Sequence, residues 1–420
     1  MSRVVMVRFL IASFSVAIGL CCCLVLPARE QARSPVYAKD AAPAAGKSKI
    51  AQTGYVGDAA CLPCHKEQSI SYRRTAHHLT SRPANKDTIL GSFSSASNVL
   101  MISNSETTDT DPRLYFLMEA KRDGFYQTAI AEQGSQRLTR SERIDIVVGS
   151  GVRGQTYLYW HGDQLYELPV SYWTDGHQWI NSPGYKNGTA NFARRADPRC
   201  LECHTTYIRA TSTDPQMNLY DKTSLTMGIS CESCHGPAAK HVAKEKEASV
   251  QSSGSTLHTI LNPANLGRDL QVDQCALCHN GTQSQELLPA FSFRPGERLD
   301  RYFAPDLSAL IEQPDVHGNQ VGLLKRSRCY LSSPSMTCST CHDVHAPQHT
   351  AAEYSNRCLN CHQWQSCGIS QKIGSGIMHN CIDCHMPLIQ TNAIVSETSN
   401  KVLRTSIRSH WIKIYSDSGR

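Results

Sequence analysis

The chain is poor in aromatic side chains. Phe, Trp and Tyr make up 7% of its 420 residues, although 40% of the chain is hydrophobic. Large rings normally supply much of a core's buried area, so another source of apolar bulk is expected. No basic run with interleaved aromatics appears, which argues against a nucleic-acid partner. Neither sign of charge dominates: 42 Lys and Arg stand against 36 Asp and Glu, a net charge of +6. Between residues 85 and 195 there is no Cys-x-x-Cys-His, and nowhere is there a Cys-x-x-Cys-Lys.

Cysteine is what the chain does have. Fourteen of its 19 cysteines fall in seven copies of Cys-x-x-Cys-His. The residues are Cys61, Cys64 and His65; Cys200, Cys203 and His204; Cys231, Cys234 and His235; Cys275, Cys278 and His279; Cys338, Cys341 and His342; Cys358, Cys361 and His362; and Cys381, Cys384 and His385. In each, two thiols can add to the vinyl groups of one haem while the adjacent histidine becomes the proximal iron ligand. Zinc ribbons pair Cys-x-x-Cys without requiring a histidine directly after it. A thioredoxin-like site uses one pair, and disulfide frameworks belong to short chains richer in cysteine. Seven covalent haems c are therefore expected. Cys329 and Cys367 lie outside the motifs, and two readings stay open: a disulfide, or buried thiols.

Residues 1–38 read as a signal peptide or an N-terminal anchor. Arg3 and Arg8 precede an apolar run of 18 residues, 9–26, with small residues before Ala38. The layout suits a secretory signal, and the run is also just long enough to span a membrane. Either way the rest of the chain is expected outside the cytoplasm, in the periplasm or an equivalent exported location. Cleavage after Ala38 would remove four arginines and Glu30, leaving +3. Haem propionates shift the balance further, so the sequence charge is a poor guide to partners.

The expected fold class is α+β, with short helices and loops wrapped around packed haems. Residues 39–53 read as a linker and 54–84 as a first haem segment with a helix near 66–79. Residues 85–195 read as a β-rich insert. Alternating segments at 114–118, 125–130, 144–148, 155–160 and 165–170 predict strands of a small antiparallel sheet, with Gly162-Asp163 as a hairpin turn. The insert reads either as a packing module or as a docking surface for a redox partner. Residues 196–387 form a six-haem domain with too few residues per haem for a core of their own, so porphyrin must supply apolar surface and folding must depend on it. Residues 388–420 read as a tail packed on that domain.

Eleven histidines remain after the seven proximal ones. His345 follows His342 by three residues and His241 follows His235 by six. Three residues reach about 10 Å at most, too short to round a porphyrin rim comfortably. Such residues are expected to ligate a neighbouring haem. His77, His241, His345, His379 and His410 are the candidate distal ligands, ahead of His78, His161, His177, His258, His317 and His349.

Several segments resemble a known group. Gly228-Ile-Ser-Cys-Glu-Ser-Cys-His-Gly-Pro-Ala-Ala-Lys-His241 is similar to a stretch of multihaem cytochromes related to cytochrome c-554 and hydroxylamine oxidoreductase. Cys381-Ile-Asp-Cys-His-Met-Pro387 resembles a motif of that group and of pentahaem nitrite reductases. Tyr55-Val-Gly-Asp-Ala-Ala-Cys-Leu-Pro-Cys-His65, with Thr75-Ala-His77, resembles the group's opening. Val148-Gly-Ser-Gly, Glu167-Leu-Pro169 and Ser182-Pro-Gly184 resemble the sheet insert of relatives that often carry tetratricopeptide repeats, which this chain lacks. The resemblance covers about residues 54–415 and implies that His77 and His241 are distal ligands, with His410 matching a late histidine of the group.

Two functions follow as expectations. The first is an electron carrier between a quinol-linked or cytochrome donor and a terminal reductase or oxidase. Six-coordinate iron has no vacancy for substrate. The alternative is a haem oxidoreductase acting on nitrite, hydroxylamine or sulfur compounds at one open iron. Against it stand the missing Cys-x-x-Cys-Lys of nitrite reductases and the lack of a match for the cross-linking tyrosine of the eight-haem hydroxylamine oxidoreductases.

Overall fold

The computed structural model describes residues 54–102, 113–248, 259–281, 285–304, 318–347, 350–397 and 402–415. The apolar run at 9–26, and with it the signal-or-anchor reading, lies outside the described residues, among which no helix is long and apolar enough to cross a membrane.

Short helices and small antiparallel sheets make up the fold. The strands begin with β1 (Ser81–Pro83), β2 (Val99–Met101), β3 (Arg113–Lys121), β4 (Gly124–Gln133) and β5 (Gln136–Arg143). They continue with β6 (Ile146–Val148), β7 (Gly154–His161), β8 (Gln164–Glu167), β9 (Val170–Trp173) and β10 (Gln178–Asn181). Two sheets form where one was expected. The first runs β2-β3-β4-β5; the second runs β1-β6-β7-β9-β10, with β8 also on β7. Phe116 and Met118 from the first sheet and Val147, Tyr157 and Val170 from the second share one core. The β7–β8 hairpin turns at Gly162-Asp163, where His161 pairs with Gln164 and Gly162 takes the left-handed φ of +55°.

The expected strand at 165–170 is broken. Pro169 has no N–H for a ladder, and the chain divides there. β8 pairs with the end of β7, Leu158 opposite Glu167, and β9 pairs with its beginning, Gly154 opposite Trp173.

Outside the two sheets, apolar clusters are smaller. One joins Leu201, Ile208 and Tyr220 to the back of the second sheet; another holds only Val272, Ala276, Val321 and Tyr330. Two hairpins flank this region: β11 (Thr205–Ala210) with β12 (Tyr220–Met227), and β13 (Leu388–Glu397) with β14 (Val402–Arg408). The tail reaches two places. Near its tip, Asn181 Nδ2 donates to Glu397 O at 2.6 Å and Ser396 Oγ to Asn181 O at 2.7 Å. At its base, Arg408 donates to Ile382 O and Met386 O, and Ile412 N to Ser327 Oγ at 2.8 Å. Cys329 and Cys367 are free thiols, so the disulfide reading gives way.

Candidate functional site

Each Cys-x-x-Cys-His sits on a helical turn. His65 N donates to Cys61 O at 2.9 Å, and His342 to Cys338, His362 to Cys358 and His385 to Cys381 do the same at 2.9, 3.0 and 3.1 Å. Helical Pro198–His204 and Arg268–His279 each end on their motif's histidine. Residues three and four apart share a helix face, so the first cysteine, second cysteine and histidine of each motif point the same way.

Imidazoles face each other across gaps of one size. His65 and His241 have ring centroids 6.4 Å apart. For His77 and His279, His235 and His345, and His342 and His410 the separation is 6.1 Å each. Histidine nitrogens bind a metal at about 2 Å and the ring centre lies about 1.2 Å further out, so two imidazoles on opposite sides of one iron have centroids about 6.4 Å apart. Packed rings elsewhere share that spacing, Phe116 with Phe192 at 6.2 Å and Tyr159 with Phe192 at 6.4 Å, so what sets these four apart is that each joins a motif histidine to a second imidazole. The proximal histidine of one motif meets a histidine from a distant segment in every case, so the donor set fits haem held by two histidines.

The rings are prepared as ligands. His235 and His385 set Nδ1 against Leu261 O and Lys413 O, both at 2.9 Å. His204 Nδ1 is 2.9 Å from Thr80 Oγ1, His279 Nδ1 3.3 Å from Gln320 Oε1 and His342 Nδ1 3.3 Å from Tyr354 OH. Occupying Nδ1 leaves the Nε2 lone pair for a metal. Burial, then the facing His279, lowers His77 to about 4. Burial, then His342, lowers His410 to about 4. Both stay neutral, the form that ligates. The thiols are not gathered as zinc sites: among the described residues no three His, Cys, Asp or Glu side chains converge to hold a metal ion. Burial raises the Cys234 and Cys341 thiols and pushes Cys358 up to about 11, whereas Cys203 and Cys338 are lowered by the neighbouring thiols of Cys278 and Cys275.

The motifs also touch one another. Asp58 Oδ1 accepts from Cys231 N at 3.0 Å, and the buried Glu232 carboxylate accepts from Val56, Gly57 and Ala238 N–H, joining the first motif to the third. Gly228, three residues before Cys231, takes a left-handed φ of +69°, and a Cβ there would run into the carbonyl of His78 beside the first motif. Gln274 Nε2 donates to Cys234 O at 2.7 Å, joining the third to the fourth. Cys275 and Cys338 are within thiol hydrogen-bonding reach, as are Cys203 and Cys278; these contacts join the fourth motif to the fifth and to the second. Tyr354 OH at His342 Nδ1 ties the fifth to the sixth, and Ser355 Oγ, accepting from Cys381 N at 2.9 Å, ties the sixth to the seventh.

Of the histidines singled out from the sequence, His77, His241, His345 and His410 thus face proximal rings. His379 is exposed, and among the described residues no imidazole faces His379, His362 or His385. His78 lies 3.4 Å from Asp58, His161 and His177 are exposed, and His258, His317 and His349 lie outside the described residues. Which ring serves which motif was not legible in the sequence, nor were Glu232, Gln274 and Arg199, ordinary polar residues whose partners lie far off in the chain.

Residues 179–236, which carry the second and third motifs, match the model of the family cytochrome c554 and c-prime. No curated protein sequence matches the chain. Among solved structures, the outer cell wall cytochrome OcwA is similar, with a TM-score of 0.52 and 16% identity over 86% of this chain and 79% of that one. That likeness is one of fold.

Proposed function

We propose that this chain is an exported c-type cytochrome with seven covalent haems that passes electrons from a membrane-side quinol-linked or cytochrome donor to a terminal redox partner. The observation that carries the reading is the set of four imidazole pairs with an iron-sized gap, each built on a Cys-x-x-Cys-His histidine. When bound, haem supplies reversible one-electron chemistry. The chain's part is to fix it. Paired cysteines would anchor each group, facing histidines would hold four of them from both sides, and carbonyl or side-chain partners at Nδ1 fix the orientation of five motif histidines. Because the facing histidines come from distant segments, three of them beside another motif, these four groups would be drawn close to one another. This supports transfer along the chain rather than chemistry at an isolated site.

Intact mass spectrometry of the exported protein tests the reading. Seven haem additions are expected. A zinc-loaded protein without haem would contradict it. Seven haems together with a high-spin signal that responds to nitrite or hydroxylamine would move the oxidoreductase alternative ahead.

A further inference from the structure

Arg199 precedes Cys200 in the second motif, and its guanidinium reaches the fourth. Nη1 donates to Glu202 Oε2 at 2.6 Å and lies 3.5 Å from Cys203 Sγ. Nη2 donates at 2.5 Å to the carbonyl of Leu277, between Cys275 and Cys278. Nε lies 3.8 Å from Glu286 Oε1, and the planar group covers the Phe303 ring, its carbon 4.6 Å from the centroid. One side chain therefore touches a sulfur of one haem anchor and the backbone of another. The adjoining cavity, lined by Arg199, Leu277, Asn280 and Phe303, has a volume of about 20 Å³, room for a water and not for a substrate.

We propose that Arg199 is a positioning residue that holds the second and fourth haem sites together and whose fixed charge raises the reduction potential of both. The inference rests on the proposed function. A guanidinium stays charged at any working pH and, in its planar fork, keeps a fixed direction. Losing an electron adds a positive charge at the iron, and a cation held nearby in a half-buried site opposes that change. Glu202 is buried and keeps a second donor, Phe291 N–H at 2.6 Å, so its carboxylate has a partner when Arg199 is gone. Removing the cation then leaves local negative charge and lowers both potentials.

The experiment is a mediated optical redox titration of the haem-loaded Arg199→Gln and Arg199→Lys proteins at mildly alkaline pH, with haem counted by pyridine hemochrome. Seven haems in both, two midpoints lowered in Arg199→Gln, and most of that shift restored in Arg199→Lys are expected. Unmoved midpoints with seven haems would overturn the inference while leaving the cytochrome reading intact, and so would an Arg199→Lys protein that shifts as far as Arg199→Gln. Absence of haem from the parent protein would instead overturn the cytochrome reading. If Arg199→Gln fails to mature, Glu202→Gln gives an independent reading. It should raise two midpoints, and a fall or no change would contradict the role of the pair.

Discussion

His345 lies three residues after His342, yet it faces His235. Chain reach is the reason. On the proposed function, three residues would not round their own haem and would offer the ring to a neighbour; His241, six residues after His235, likewise faces another motif's ring, His65. Spacing pointed these histidines toward the rings of other motifs, but not toward which ones. That depends on contacts such as Asp58 with Cys231, which join residues 173 apart. Glu167 gives a residue-scale prediction away from the motifs. Burial raises it from an ordinary 4.5 to about 7, with Arg194, 3.2 Å away, opposing the rise. Between those values the folded chain holds a proton that the unfolded chain has released. This group's contribution to stability is therefore fully present below about 4.5 and is lost as pH climbs to about 7, on the order of 3 kcal/mol in all. Glu167→Gln cannot ionise. It should melt above the parent at about pH 8 and close to it at about pH 5; equal melting temperatures at the higher pH would contradict the account.

At the scale of elements, alternation of apolar and polar residues marked the strands that bury one face. β3, β4 and β7 were legible because Phe116, Met118, Ile130 and Tyr157 recur at strand spacing and point into the core. β5 was not: it is an edge strand exposed along nearly its whole length, with no apolar face to display. The C-terminal hairpin was read only as a packed tail, since its ties to Asn181 and Ser327 are hydrogen bonds between distant segments. Its outgoing strand delivers His410 to His342, and Ser327 Oγ donates to His410 O at 3.1 Å. Ending the chain after Ser409 keeps the hairpin and removes that ring. Covalent haem content should be unchanged while one iron turns high spin. A fully low-spin protein would exclude His410 as a ligand.

Across the whole molecule, apolar burial is uneven. The two-sheet unit has 14 buried residues in one cluster, whereas the cluster beside the fourth motif has four. The first can stand on ordinary hydrophobic burial; on the proposed function, the second would depend on porphyrin to fill it. Protein made without haem attachment should then yield a protease-resistant fragment covering about residues 80–195, with rapid cleavage beyond residue 230. Uniform resistance would show that haem is dispensable for folding. The central claim concerns the paired imidazoles, and low-temperature EPR of the oxidised, haem-loaded protein tests it most directly. Low-spin ferric signals from at least four irons are expected. One of them should be strongly anisotropic, because the His77 and His279 rings stand at 75° to each other, whereas the other three pairs lie within 18–28° of parallel. A spectrum dominated by high-spin iron, with fewer than four low-spin centres, would contradict the account.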